Sequence, residues 1–422
     1  MARNIIVALD IGTSTVETVI AETIRGEDAP RILGVGVVPS QGVRKGVVID
    51  LGEVMISIRR SVEEARKSSG VPVRSVWLAV GGSHVSVSSS RGVVAVSRAD
   101  GEISPEDVRR VISAAESFVA KNPNKELLHI IPRDFRVDNE SGIKDPVGMH
   151  GVRLEVDTLI VECSAPFLKN ILKCVEGAGF AVEDYVFSPL AAARAVLTKR
   201  QKELGVMLLD VGGGTASFVV YEEGVPLHAG VVPIGGGHIT NDVAIGFRTH
   251  VDIAEEIKKM YGSCLPDEFS KRDTVRLAEF LPEDQNALQG KTAEGISYPR
   301  RELAEIVSAR LQDLFEVLHK ELKKAGRSGL LPAGVILVGG TSLLPGLAEV
   351  TKRELKLPVE LGRLQDFYEG VDEKTAPVLA TALGMVQWAH WKTCEPEGAT
   401  FTDKVRHVNK HPFMKWLRSL LP

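Results

Sequence analysis

Two aspartates pose the chemical question. Asp10 closes the apolar run "IIVAL" and leads into Ile11, Gly12, Thr13, Ser14 and Thr15, while Asp210 closes "VMLL" and leads into Val211, Gly212, Gly213, Gly214 and Thr215. Each stretch then continues as a second alternating strand. A glycine turn between two strands is, alone, a tight hairpin. Two such turns, each preceded by an acid at the last strand position, indicate a duplicated unit. Glycines let backbone N–H groups approach an anion without a Cβ in the way, and Thr13, Ser14 and Thr215 add hydroxyl donors. The carboxylates would repel a phosphate unless a divalent cation lay between, usually through its water shell, as Mg²⁺ prefers. The alternative for each aspartate is a strand-end residue that caps local amides.

A third glycine turn lies in "AGVILVGGTSLLPGL" (333–347): a buried strand, Gly339, Gly340, Thr341 and Ser342, then a helix-like segment with Pro345 in its first turn. Such a turn lets backbone lie flat against a planar ring, with helix-start amides nearby. It is also a generic strand-to-helix turn. Between the second and third turns, "PIGGGHITNDVAIGF" (233–247) holds Gly236 and Gly237. In "VDIAEEIKKMYG" (251–262), Glu255, Lys258 and Lys259 fall at helical spacing and could present one face to a ribose and base, or simply face solvent.

These turns need strands and helices to carry them, and the chain is long enough. Its 422 residues suffice for two or three domains, and 51 basic against 55 acidic side chains leave a net charge of −4. That balance argues against a general nucleic-acid binder. Four widely spaced cysteines with no CxxC pair offer no metal or disulfide framework and fit a reducing compartment. The start "MARNIIVALD" lacks a signal peptide's apolar length, and no run of about 20 apolar residues is present. The expected compartment is the cytoplasm.

The two Asp–Gly–Thr hairpins, the Gly-Gly turn and the helical stretches "SPLAAARAVL" (188–197) and "TAPVLATALGM" (375–385) resemble the actin/sugar-kinase/heat-shock-chaperone ATPase superfamily across nearly the whole chain. Within it, the segment from about Ser83 to Val161, with "DPVGMHGVRL", is similar to the subdomain inserted in the bacterial cell-division family FtsA. There "EISPEDVRRVISAAES" reads as one amphipathic helix among alternating strands, with Ser104 able to cap it. The resemblance implies an α/β fold: an actin-like, two-lobed ATPase with duplicated sheet-and-helix cores plus an inserted α+β (SHS2-type) subdomain. The expected division is 1–82 and 162–195 for the first lobe, returning at 372–391, and 83–161 for the insertion. The second lobe takes 196–371, with an outer subdomain at about 240–310.

The resemblance also implies roles. Gly12, Thr13, Ser14 and Thr15 would bind phosphate from the first hairpin, and Gly212, Gly213, Gly214 and Thr215 from the second. Asp10 and Asp210 would hold water around Mg²⁺. Gly236 and Gly237 would approach the phosphates, Glu255, Lys258 and Lys259 the ribose and base, and Gly339, Gly340, Thr341 and Ser342 the adenosine of ATP or ADP. Two positions depart from an efficient ATPase. The first hairpin lacks the lysine that many relatives place there, and Ser188-Pro189 with alanines stands where they carry a water-directing Glu or Gln. Slow hydrolysis is expected.

From Lys392 the chain turns polar, with Pro396 and Gly398, and reads as a linker over 392–410. In 411–422, Phe413, Met414, Trp416, Leu417, Leu420 and Leu421 fall within an arc of roughly 160° on a helix, opposite Lys415 and Arg418. Such a helix is too short to span a bilayer but can lie in its interface, with Trp416 at headgroup level and the cations near anionic lipid. The other outcome is a terminal helix folded back onto the body. The expected function is an ATP-binding adaptor that polymerises on the cytoplasmic face of the cell membrane at the division site. Its expected partners are FtsZ, itself and, through the insertion, later division proteins, with no nucleic acid. The alternatives are a PilM-like pilus-assembly adaptor and a small-molecule kinase or ATPase of the same fold.

Overall fold

The computed structural model describes residues 3–24, 30–118, 122–270, 272–280, 296–364 and 375–394. The tail helix expected over 411–422, its lipid-facing residues, and residues 395–410 of the expected linker lie outside the described residues. The described chain divides into two compact units. One takes in the residues up to Val85 and from Pro166 onward, and the other is Ser86–Ala165.

The larger unit contains two five-stranded sheets of one topology. In the first, Arg3–Ile11 is central. It pairs antiparallel with Thr15–Ile24, which pairs antiparallel with Arg31–Pro39, and on its other side it runs parallel to Ser75–Val80 and then Ala181–Phe187. In the second, Val206–Val211 is central. It is flanked by the antiparallel Ala216–Glu222 and Val225–Val232 on one side and the parallel Val335–Val338 and Val359–Leu361 on the other. The central strands are apolar on both faces (Ile6 to Leu9, Met207 to Leu209), which suits strands covered by helices on both sides.

The helices are set by local signals. Leu51–Ser69 starts at Asp50, whose side chain accepts from the Glu53 amide at 3.1 Å, and stops at the left-handed Gly70. Ser188–Val196 and Ala376–Cys394 belong to the same unit, and Arg194 of the former lies over the rings of Trp388 and Trp391 of the latter, 4.7 and 4.3 Å from their centroids. Ala376–Cys394 continues through Lys392, Thr393 and Cys394, which the sequence reading assigns to the linker. Lys392 is held by an ion pair with Asp184, and Thr393 bonds back to Ala389, so the helix outlasts the change in composition.

A second correction concerns Pro345. The segment after Gly339 is a 3-10 turn, Gly340–Leu343, and the helix proper is Leu347–Leu355. Pro345 therefore precedes the helix, and Gly346, at φ +81°, supplies the left-handed bend into it.

The smaller unit is a four-stranded sheet in the order Val85–Ala95, Arg153–Ser164, Lys125–Val137, Glu140–Ile143, with the helix Pro105–Phe118 against one face. The core joins Val108, Val111 and Ile112 of that helix to Ile130, Phe135 and Val156 of the sheet. Ser104 caps it: its hydroxyl accepts from the Asp107 amide at 3.3 Å, and Asp107 accepts in return from the Ser104 amide at 3.0 Å. Arg91, Arg136 and Asp157 form a charged ladder on the strands.

Candidate functional site

Asp10 and Asp210 stand one residue before the ends of equivalent central strands, where α/β sheets place their ligands. The turns that follow are alike down to the hydrogen bond that closes each, from the Gly12 amide to Thr15 O at 2.9 Å and from the Gly212 amide to Thr215 O at 3.0 Å. The two loops meet. A Cβ on Gly213 would overlap the Ser14 hydroxyl, and one on Gly214 would overlap Thr13. Only glycine backbone leaves space for the facing hydroxyls.

The surrounding turns are bolted to the second loop. The Gly236 and Gly237 amides donate to Gly212 O and Gly213 O at 2.9 and 2.7 Å, so they hold that loop in place. Thr341 Oγ1 donates to Gly212 O at 3.1 Å, and Ser342 Oγ to Gly339 O at 2.7 Å. Gly339 has φ +84°, and a Cβ there would strike the Asp210 carboxylate. The third glycine turn thus lies directly beside the second aspartate.

Lys258 is buried, with 7% of its surface exposed. Its Nζ donates to Gly236 O at 3.2 Å, to Thr240 Oγ1 at 2.9 Å and to Glu255 Oε2. Burial lowers its pKa against the pull of Glu255. Burial raises the Glu255 carboxyl, but the Lys258 and Thr240 hydrogen bonds outweigh it and hold it below the usual range. The pair pins the helix Val251–Tyr261 to the start of Gly236–Gly246, while Lys259, with a side chain 71% exposed, pairs with Glu255 from solvent at 3.2 Å. His238 accepts from the Gly235 amide at 3.1 Å, and burial together with the nearby Lys45 lowers its pKa.

The electrostatics favour a cation. Burial, followed by the Asp210 carboxylate, pushes Asp10 up to about 7 from 3.8. Burial pushes Asp210 to about 6, against a long contact from Thr381 Oγ1 at 3.5 Å. Among the described residues no three His, Cys, Asp or Glu side chains converge closely enough to enclose a metal by themselves. An ion here would therefore keep water or ligand oxygens, the habit of Mg²⁺. Two desolvated carboxylates beside glycine loops that a Cβ would block fit a magnesium–polyphosphate group.

Sequence reading missed several participants. Glu17 lies opposite Asp10 across the first hairpin, and Thr15 Oγ1 donates to its Oε1 at 2.9 Å instead of pointing to a ligand. The Gly46 amide donates to Thr13 Oγ1 at 3.0 Å, which leaves the Thr13 proton free to donate onward. The alternating strand around Glu17 looks like one with a solvent face, and nothing local marks Gly46.

A family model of the cell division protein FtsA matches residues 207–384, and one of the SHS2 domain inserted in FtsA matches 82–162. The chain is 35% identical over 385 residues to the cell division protein FtsA of Pseudomonas aeruginosa, covering 91% of this chain and 89% of that protein. It is 36% identical to that of Borreliella burgdorferi (97% of each) and 36% to that of Bacillus subtilis (92% and 84%). Among solved structures it is similar to the PilM-PilN type IV pilus biogenesis complex, with a TM-score of 0.66 at 19% identity, over 93% of this chain and 99% of that one. It also resembles MreB5 of Spiroplasma citri bound to AMPPNP, with a TM-score of 0.51 at 11% identity, over 92% and 97%.

Proposed function

The chain belongs to the FtsA family of cell division proteins, and from that premise we propose that it is an actin-like, ATP-binding adaptor on the cytoplasmic face of the cell membrane. It polymerises there, holds FtsZ filaments at the division site, and engages later division proteins through the Ser86–Ala165 unit. The observation that carries the nucleotide part is the meeting of two equivalent Asp–Gly–Thr loops at Ser14–Gly213 and Thr13–Gly214. The fold neighbour solved with AMPPNP supports the same reading.

In this reading Asp10 and Asp210 orient water around Mg²⁺, which supplies charge neutralisation at the phosphates. Thr13 and Ser14 give amides and hydroxyls to those phosphates, and Gly213 to Thr215 do so from the second loop, while the Gly12 and Gly212 amides close the two turns and the Thr15 hydroxyl is held by Glu17. Gly339 to Ser342 flank the adenosine, and Glu255 and Lys258 support the ribose side by fixing two helix ends. Ligand binding favours one arrangement of the two sheets, so that the nucleotide sets polymer contacts and is not fuel. The pilus-assembly alternative rests on likeness of fold at 19% identity, which the FtsA family match outweighs.

Membrane attachment is assigned to residues 411–422, whose apolar arc suits an interfacial helix. Among the described residues no helix is long and apolar enough to cross a membrane. The test is co-pelleting with vesicles of anionic phospholipid in the presence of ATP and Mg²⁺. Full-length protein is expected in the pellet and a truncation lacking 411–422 in the supernatant. Pelleting that survives the truncation overturns the tail assignment.

A further inference from the structure

The first hairpin carries an acid that the second lacks. In the antiparallel ladders Asp10 pairs with Glu17, and at the equivalent place Asp210 pairs with Ser217. Residues directly opposite in such a ladder lie on one face with neighbouring Cβ atoms. Glu17 therefore shares the face of Asp10, and only 4% of its surface is exposed. One oxygen, Oε1, is satisfied by Thr15 Oγ1 at 2.9 Å, while Oε2 is buried with no hydrogen-bond partner. The charged groups acting on it are Asp10 and Asp210, both acidic.

A buried polar oxygen without a partner is costly. Burial and the neighbouring Asp10 push the Glu17 carboxyl well above the usual carboxylate range, and a donor at Oε2 would favour its ionised form. Among the described residues the charges acting on Glu17 include no lysine or arginine, which points to a cation or the water bound to it as the source of that donor. We propose that Glu17 is a third acidic group of the cation site, accepting a hydrogen bond at Oε2 from a water on the divalent ion, and that it makes nucleotide binding depend on that ion. The inference rests on the nucleotide reading above. Its physical content is a charge balance. Without the ion, a polyphosphate meets Asp10, Glu17 and Asp210, acids that burial pushes toward their protonated forms and that repel the polyphosphate wherever they are ionised. With it, the three acids would accept from the ion's water and its charge would offset the repulsion. Ser217 at the equivalent place carries no charge, so the second hairpin would offer the ion's water one acid fewer than the first.

The experiment measures equilibrium binding of a fluorescent ATP analogue to the full-length protein, once with Mg²⁺ and once with EDTA. Glu17→Gln and Glu17→Ser remove the charge, the latter copying the second hairpin, and Glu17→Asp keeps it. A thermal melt verifies that each variant is folded. Wild type is expected to bind with Mg²⁺ and to lose most affinity in EDTA. Glu17→Gln and Glu17→Ser should gain roughly tenfold less affinity from Mg²⁺ than wild type does, while Glu17→Asp keeps the wild-type dependence. Because glutamine has the shape of the protonated acid, a Glu17→Gln variant with the wild-type Mg²⁺ dependence overturns the proposal. Wild type that fails to bind with Mg²⁺ overturns the nucleotide reading itself, and the wild-type arm alone reveals that outcome.

Discussion

Gly214 lies against Thr13 with no room for a β-carbon between them, and Gly213 stands in the same relation to Ser14. Two loops whose central residues are two hundred positions apart thus share one tight junction. Overpacking a junction of this kind costs about 1–3 kcal/mol. Gly213→Ala and Gly214→Ala should each weaken nucleotide binding by about tenfold or more, measured by titration calorimetry. Ser14→Gly should restore much of what Gly213→Ala loses, because it removes the atom that is struck. Simple additivity of the two would count against the junction.

The aspartate pair predicts a pH effect on the ligand-free protein. Asp10 titrates near 7 and Asp210 near 6 when folded, against 3.8 for an ordinary aspartate. The folded state then holds protons that the unfolded chain has released. The contribution of the pair is present below about pH 4 and is lost as pH rises through 6 to 7. Asp10→Asn should accordingly stabilise the protein in EDTA at pH 8, by on the order of 1–3 kcal/mol, and much less at pH 4. Denaturant melts at the two pH values measure the difference.

Lys258 and Lys259 are neighbours in sequence with different duties. Lys258 fixes Gly236 O and Thr240, whereas Lys259 is bathed in solvent. Lys258→Met removes the buried partner of Glu255 and the donor to Gly236 O, leaving Glu255 to Thr240 and Lys259, and should cost about 1–3 kcal/mol of stability and reduce nucleotide affinity with it. Lys259→Ala should change neither by more than about 0.5 kcal/mol. Equal effects of the two substitutions would show that both lysines act on the ligand from outside.

In the smaller unit, burial raises the Asp107 carboxyl, but hydrogen bonds from Ser104 and Ser97 outweigh it and hold it at about 2. This contribution is present above about pH 4 and is lost as pH falls toward 2. Asp107→Ala should destabilise Ser86–Ala165 by about 1–3 kcal/mol at neutral pH, seen as faster amide exchange in that unit.

Ser188 opens its helix with Pro189 and alanines behind it and no acid in the first turn. Steady-state phosphate release should stay far below the roughly 1 s⁻¹ at the low end of ordinary enzymes, and Ser188→Ala should leave the rate unchanged. A sharp drop on that substitution would make Ser188 a catalytic residue.

Local chemistry was legible wherever it rested on backbone geometry. The glycine loops after Asp10 and Asp210, the capped helix at Ser104 and the helix from Ser188 are all written in residues within a few positions of one another. Pro345 and Lys392 misled for the same reason. A proline near a glycine turn looks like a helix start, and a polar run looks like a helix end, yet Gly346 and the Lys392–Asp184 pair decided otherwise.

By itself, the sequence determined that the chain carries two copies of a strand–acid–glycine–strand unit with an α+β segment between them. Periodicity and turn residues act over a few peptide bonds, so they survive in a string of letters. Tertiary structure alone decided which polar groups face a ligand and which are engaged by the protein. Thr15 turned to Glu17, the Gly236 and Gly237 amides went to the second loop, and Glu17 Oε2 remained without a donor. Those outcomes depend on register and burial between segments far apart in the chain, where a displacement of an ångström makes or breaks a hydrogen bond.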